Sequence, residues 1–212
     1  MLINGVISVI IAYLLGSIPA AYILTRVATG KDIHQLGGGN VGARNVFTEV
    51  GKGAGIAVAV FDVGKGAAAV AIAHWLLSAP TLFVLVAGLA VVAGHIWPIF
   101  LKFKGGNGLA TTLGVLSLLM TRELLIALAI AVLLIVITHN PILSVNMGLL
   151  SVPISAWLLG ESVLSIVFPI LLIVIMAINF VPTAKAASVK AGSRENFFAE
   201  LLRRDKVKKK AR

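Results

Sequence analysis

The sequence predicts an all-α integral membrane protein of about seven transmembrane helices, with its N-terminus outside and its C-terminus cytoplasmic. Three observations predict it. Of 212 residues, 59% are hydrophobic and 12% charged, against about 45–50% and about 25% in soluble domains. The apolar residues fall in runs near the roughly 20 residues that cross a bilayer core, rather than in amphipathic stripes. The basic residues gather in alternate connections between those runs, which is the positive-inside pattern.

Taken in order, the apolar runs predict helices near 4–26, 54–78, 81–100, 107–120, 123–138, 142–159 and 163–181. The fourth and fifth are short for full spans, so tilted or broken helices beside protein are expected there. No paired broken helices of the transporter kind are evident. The connection after the first run carries Arg26, Lys31, Arg44 and Lys52, and the one after the third carries Lys102 and Lys104. The opposite connections, near 78–81, 121–123 and 160–162, hold Arg122 as their only basic residue. Seven crossings put the termini on opposite faces, in agreement with this asymmetry.

Several function classes are excluded. Without cysteine there is no disulfide framework, thiolate nucleophile or cysteine metal site. The net charge is +10, but 10 of the 18 Lys and Arg follow Pro182, so an anionic membrane surface is the expected counterpart and nucleic acid is not. The chain divides into a membrane domain over 1–182 and a basic cytoplasmic tail over 183–212. No signal peptide is expected, because the first charged residue, Arg26, follows the first apolar run. No His, Asp and Glu stand at ligand spacing, so neither a metal nor another cofactor is expected. Nothing in the sequence specifies an oligomeric state.

Two glycine-rich segments carry the chemistry. The first reads GGGNVGARN over 37–45. Gly37, Gly38, Gly39 and Gly42 permit a concave turn whose N–H groups form a phosphate nest, with Arg44 as a bidentate partner; the alternative is a flexible loop. G-x-G-x-x-G is satisfied here, but after a membrane run rather than a strand, so a dinucleotide site lacks its context. The second segment, GHIWPIFLKFKGGNGLATT over 94–112, ends one helix in two lysines and opens the next through Gly105, Gly106, Asn107 and Gly108. Free N–H groups and the positive end of the helix dipole predict a second anion site. The alternative is a tight turn flanked by snorkelling lysines.

Asp62 and Lys65, three residues apart in the second run, share a helix face and can pair inside the bundle. His95, in the third run, and His139 with Asn140, at a helix end, read as hydrogen-bonded structural groups. The tail contains SRENFFAELLRRDKVKKKAR, expected to form an amphipathic surface helix. Its Arg194 and Asn196 lie close enough to the membrane exit to close over the glycine loops.

In this order, these segments resemble the bacterial acyl-phosphate-dependent glycerol-3-phosphate acyltransferases, the PlsY family. The resemblance is carried by GSIP at 16–19, G-N-V-G-A-x-N at 39–45, D-x-x-K-G at 62–66, G-H-x-x-P-x-F at 94–100, F-K-G-G-x-G-x-A-T at 103–111 and R-E-N at 194–196. It implies a seven-span fold in the cell inner membrane. It further implies transfer of a fatty acyl group from acyl phosphate to the sn-1 hydroxyl of glycerol 3-phosphate, giving lysophosphatidic acid at the cytoplasmic face. The family mechanism implies no acyl-protein intermediate. Asn40, Asn45, Lys104 and Asn196 are the positioning candidates, with Arg194 and the two glycine segments holding phosphate.

Five positions depart from the family pattern: Gly38 stands for serine, Arg44 for threonine, Thr48 for arginine, Asn107 for lysine and Ser193 for histidine. The glycine scaffold persists while several phosphate-gripping side chains are replaced, with Arg44 as a relocated charge. Two further readings follow from these departures: an acyltransferase with another acceptor, and a transport or lipid-binding protein that keeps the fold.

Overall fold

The structure is a computed structural model that describes residues 1–191, with side chains to residue 180 apart from that of Ile142. All regular elements among the described residues are helical: α1 (Leu2–Ser17), α2 (Ala20–Thr29), α3 (Ala43–Glu49), α4 (Lys52–Ala71), α5 (Thr81–Ile96), α6 (Leu109–Leu119), α7 (Thr121–Thr138), α8 (Pro141–Leu149), α9 (Ser151–Leu158) and α10 (Val163–Ala191). A π-helical turn, Ile72–Leu76, extends α4, and short 3-10 turns cover Ile33–Gln35 and Ile99–Leu101. One compact unit comprises Met1–Met176. A second begins at Ala177, and its described part is helical to Ala191.

Among the described residues, five stretches are long and apolar enough to cross a membrane: Leu2–Thr29, Lys52–Leu76, Thr81–Leu101, Thr121–Thr138 and Val163–Phe180. Val132, Leu133, Val136 and Ile137 of α7 each expose 62–67% of their surface. A wholly apolar exposed row of this kind is the signature of contact with lipid rather than water.

The structure corrects three expectations about the spans. The first run is not one helix, because it breaks between α1 and α2 at Ile18 and Pro19. Pro19 has no N–H, and the residue before it is pushed out of helical geometry; Ile18 is extended, with ψ 114°. The fifth run is a full 18-residue helix, and it is the sixth that is interrupted, at Leu150. Pro153 explains this second break, since its ring collides with the carbonyl four residues back, that of Leu149. Among the described residues, helices are therefore interrupted in the first and sixth runs, whereas the sequence pointed to the fourth and fifth.

The fourth run is short, as expected. At about 1.5 Å per residue the 11 residues of α6 reach roughly half the bilayer core. What precedes α6 is an irregular turn, and its backbone is satisfied by the end of α5: Gly105 N–H donates to Ile96 O (3.0 Å) and Gly106 N–H to His95 O (3.1 Å). Irregular backbone beside a short span persists when protein supplies its hydrogen bonds, as here.

Helix contacts rest on glycine, as membrane packing favours. On α1 and α5, a side chain at Gly16 would strike Val91 O, and one at Gly94 would strike Tyr13 O. The reciprocal pair on α4 and α6 sets Gly66 against Thr111 O and Gly114 against Val63 O. Between these close approaches Ala12, Ala69, Val91, Val92, Val115 and Leu116 form the main core. A second cluster of Ala21, Ile33, Val41, Val46 and Val58 anchors the first glycine loop.

Candidate active site

The first glycine loop hangs between the Ile33–Gln35 turn and α3. Asp32 starts that turn by accepting the His34 N–H at Oδ1 (2.9 Å), and the His34 ring follows with Nδ1 at 2.8 Å. The His34 backbone N–H, with the ring second, holds the Asp32 carboxyl below the usual carboxylate range. From α3, Asn45 reaches back over the loop: Nδ2 donates to Leu36 O and Asn40 O, both at 3.0 Å, and Oδ1 accepts from Gly38 N–H at 3.4 Å. Gly37 and Gly39 take left-handed conformations, φ 55° and 72°, and Asn45 Oδ1 fills the space where a Gly37 side chain would sit. Asn45 therefore sets the shape of the loop.

Across from it, Lys102 and Phe103 are both left-handed, φ 52° and 62°, and turn the chain back beneath α5. His34 Nε2 lies 3.1 Å from Lys104 O, which joins the two glycine segments.

The glycine amides differ from the expectation of a free nest. Gly38 N–H goes to Asn45 and Gly39 N–H to Leu36 O (2.9 Å), while Gly105 and Gly106 donate to α5. At the second turn it is instead the first turn of α6 that leaves N–H groups without an intrahelical partner, those of Leu109, Ala110 and Thr111. Gly108, left-handed at φ 84°, opens that helix.

Beneath both segments lies a cluster that sequence reading did not assemble. His95 was expected to stand without an acidic partner, and the structure corrects this: its Nδ1 is 3.5 Å from Asp62 Oδ1. Lys65 Nζ pairs with the same oxygen at 2.8 Å and donates to Ile18 O at 3.2 Å. All three side chains are buried, and with Ser17, Val41 and Gly105 they line a narrow cleft. A side chain at Gly106 would run into the His95 ring, so only glycine lets the turn lie this close. Each residue was visible in the sequence as an ionisable group in an apolar run. Their meeting was not, because α4 and α5 bring Asp62 and His95 together across 33 positions.

Among the remaining candidates, Asn40 is half-buried beside Gly42, while Arg44, Lys104 and Asn107 are exposed. Thr48 Oγ1 donates to Arg44 O (2.7 Å) within α3. Arg194 and Asn196 lie outside the described residues, as does the expected tail helix.

Residues 6–186 match the glycerol-3-phosphate acyltransferase family. Glycerol-3-phosphate acyltransferase 1 of Dehalococcoides mccartyi is 42% identical over 82% of this chain and 86% of its own length. The glycerol-3-phosphate acyltransferase of Endomicrobium trichonymphae is 43% identical over 77% and 81%. The fold matches the crystal structure of PlsY, an integral membrane glycerol 3-phosphate acyltransferase, in its glycerol 3-phosphate form, with a TM-score of 0.78 and 28% identity over 88% of this chain and 92% of that one. Its lysophosphatidic acid form matches with a TM-score of 0.73, over 94% and 93%. In sequence and in fold, this integral membrane chain belongs to the glycerol-3-phosphate acyltransferase family.

Proposed function

We propose that the protein transfers a fatty acyl group from acyl phosphate to the sn-1 hydroxyl of glycerol 3-phosphate at the cytoplasmic face of the cell inner membrane. The observation that carries this reading is the His34 to Lys104 junction, which holds two glycine segments side by side over a buried ionic cluster. Two phosphorylated reactants meeting at a membrane surface need two adjoining anion sites.

In the reaction, the acceptor hydroxyl oxygen attacks the acyl carbonyl carbon, the bond from that carbon to the phosphate oxygen breaks, and inorganic phosphate leaves. The departing phosphate takes the hydroxyl proton, so the step balances without a cofactor or an acyl-protein intermediate. Asn40, Lys104 and Asn196 position the reactants. Asn45 acts by shaping the loop of Gly37, Gly38, Gly39 and Gly42. Arg44 and Arg194 supply charge to the phosphates, and Gly105, Gly106, Asn107 and Gly108 present the α6 N-terminus to a second phosphate.

We further propose seven crossings, the five long stretches plus α6 and the α8–α9 pair. The N-terminus is then outside, residues 1–182 form the membrane domain, and 183–212 form a basic cytoplasmic tail on anionic lipid.

The test is acyl transfer by the purified protein in lipid, with palmitoyl phosphate as donor and glycerol 3-phosphate or another polyol phosphate as acceptor. Lysophosphatidic acid is the expected product. Transfer to another acceptor alone would replace the acceptor assignment, and no transfer from acyl phosphate would remove the catalytic reading.

A further inference from the structure

The end of α6 remote from the glycine turn borders a cavity of its own. The corner between α6 and α7 and the start of α10 enclose a cavity of about 200 Å³, lined by Met120, Thr121, Arg122, Glu123, Glu161 and Ser165. A water occupies about 30 Å³ of liquid, so this is room for a small organic headgroup.

One of the two carboxyl groups lining it has an oxygen without a partner among the described residues. Arg122 pairs with Glu161, and this leaves Glu123, whose surface is 3% exposed and whose Oε1 has no hydrogen-bond partner among the described residues. Glu123 is the third residue of α7, where a glutamate usually bonds back to the N–H of the capping residue. That N–H, of Met120, donates instead to Leu116 O at 2.9 Å. Thus neither its own helix nor Arg122 accounts for Glu123, and a buried ionisable group beside lipid calls for a partner.

We propose that the cavity takes the ammonium of an aminophospholipid headgroup, from the leaflet opposite the glycine loops. Glu123 accepts the ammonium. The Arg122 side chain, 68% exposed, has guanidinium donors beyond those given to Glu161 and turns them to the phosphodiester. Leu118 and Leu125 are exposed on the adjoining helix surfaces, where acyl chains would run. A metal ion fits less well, because no group of three His, Cys, Asp or Glu able to hold one exists among the described residues.

The experiment is native mass spectrometry of the full-length protein in detergent, offered equal amounts of phosphatidylethanolamine and phosphatidylglycerol of matched chains. The wild type should retain the ethanolamine lipid about tenfold over the glycerol lipid, a free-energy difference near 1.4 kcal/mol. Glu123→Gln should reduce that ratio to about one. Should that variant fail to fold, Ser165→Leu, which fills the cavity and leaves the charges alone, carries the same expectation. Equal retention of both lipids by the wild type would overturn the proposal, as would an unchanged ratio in the folded variants. Thermal stabilisation by sodium or calcium in lipid-free detergent, lost in Glu123→Gln and unaccompanied by lipid preference, would make this an ion site and overturn it too.

Discussion

Lys65 Nζ lies 2.8 Å from Asp62 Oδ1 and donates to the carbonyl of Ile18, so one buried pair on α4 also secures the break between α1 and α2. Pro19 supplies no N–H at that break, and its neighbour's carbonyl accepts from Ala20 N–H as well (3.2 Å).

Removing the cation alone should be severe. Lys65→Met leaves Asp62 buried beside His95 without its main counter-charge, and breaking a buried pair in this way costs about 3–5 kcal/mol. Thermal unfolding in detergent should fall sharply for Lys65→Met and partly recover in Lys65→Met with Asp62→Leu, where no charge is stranded. A double variant no better than the single one would show that the pair does not act as a unit.

The α4–α6 contact predicts an overpacking effect. A side chain at Gly114 would occupy the space of Val63 O, and backbone cannot yield as a flexible side chain does. Gly114→Ala should therefore destabilise by about 1–3 kcal/mol, read as an earlier melting transition, whereas Gly64→Ala, with open space at that position, should melt like the wild type.

Asn45 is expected to act through loop shape. Asn45→Ala removes the donors to Leu36 O and Asn40 O, leaving Leu36 O with the Gly39 N–H alone and Asn40 O without its side-chain donor. Limited proteolysis should then cut within 36–42 well before it does in the wild type, while the melting of the helical bundle changes little. Unaltered protease resistance would return Asn45 to the positioning role expected from sequence alone.

Arg44 is the only basic residue within 37–45 and stands exposed at the start of α3. If it contacts the acceptor phosphate, Arg44→Ala should raise the KM for glycerol 3-phosphate on the order of tenfold to a hundredfold, the worth of a charge-assisted hydrogen bond of about 1.5–3 kcal/mol. The KM for acyl phosphate should move far less. Equal rises in both constants would point to loop damage instead.

Asp32 gives a pH dependence of definite sign. Its carboxyl is held below the ordinary range in the folded chain, so the stabilisation is complete above the unfolded value of about 3.9 and fades as pH falls through the lower folded value. The difference in melting temperature between the wild type and Asp32→Asn should be constant near neutral pH and close below about pH 4. A gap that persists in acid would assign the effect to packing.

Much of this protein follows from local sequence. Membrane helices declare themselves one segment at a time, since a run of about 20 apolar residues has no other stable home, and six motifs in register carry the family. The helix break at Ile18 and Pro19 is equally local, because proline's missing donor is a property of one residue, though the long apolar run around it masks the break. What only the tertiary structure decided is where groups distant in sequence meet. Asp62, His95 and Ile18 converge because Gly16, Gly66, Gly94 and Gly114 let α1, α4, α5 and α6 pack backbone against side-chain-free backbone. The same holds for the amides of Gly105 and Gly106, which look free in a glycine-rich turn and are spent once α5 lies above them. Glu123, too, is set apart only by the tertiary structure, in which Arg122 faces Glu161, because which of two neighbouring carboxylates an arginine takes depends on the packing of α7 beside the start of α10.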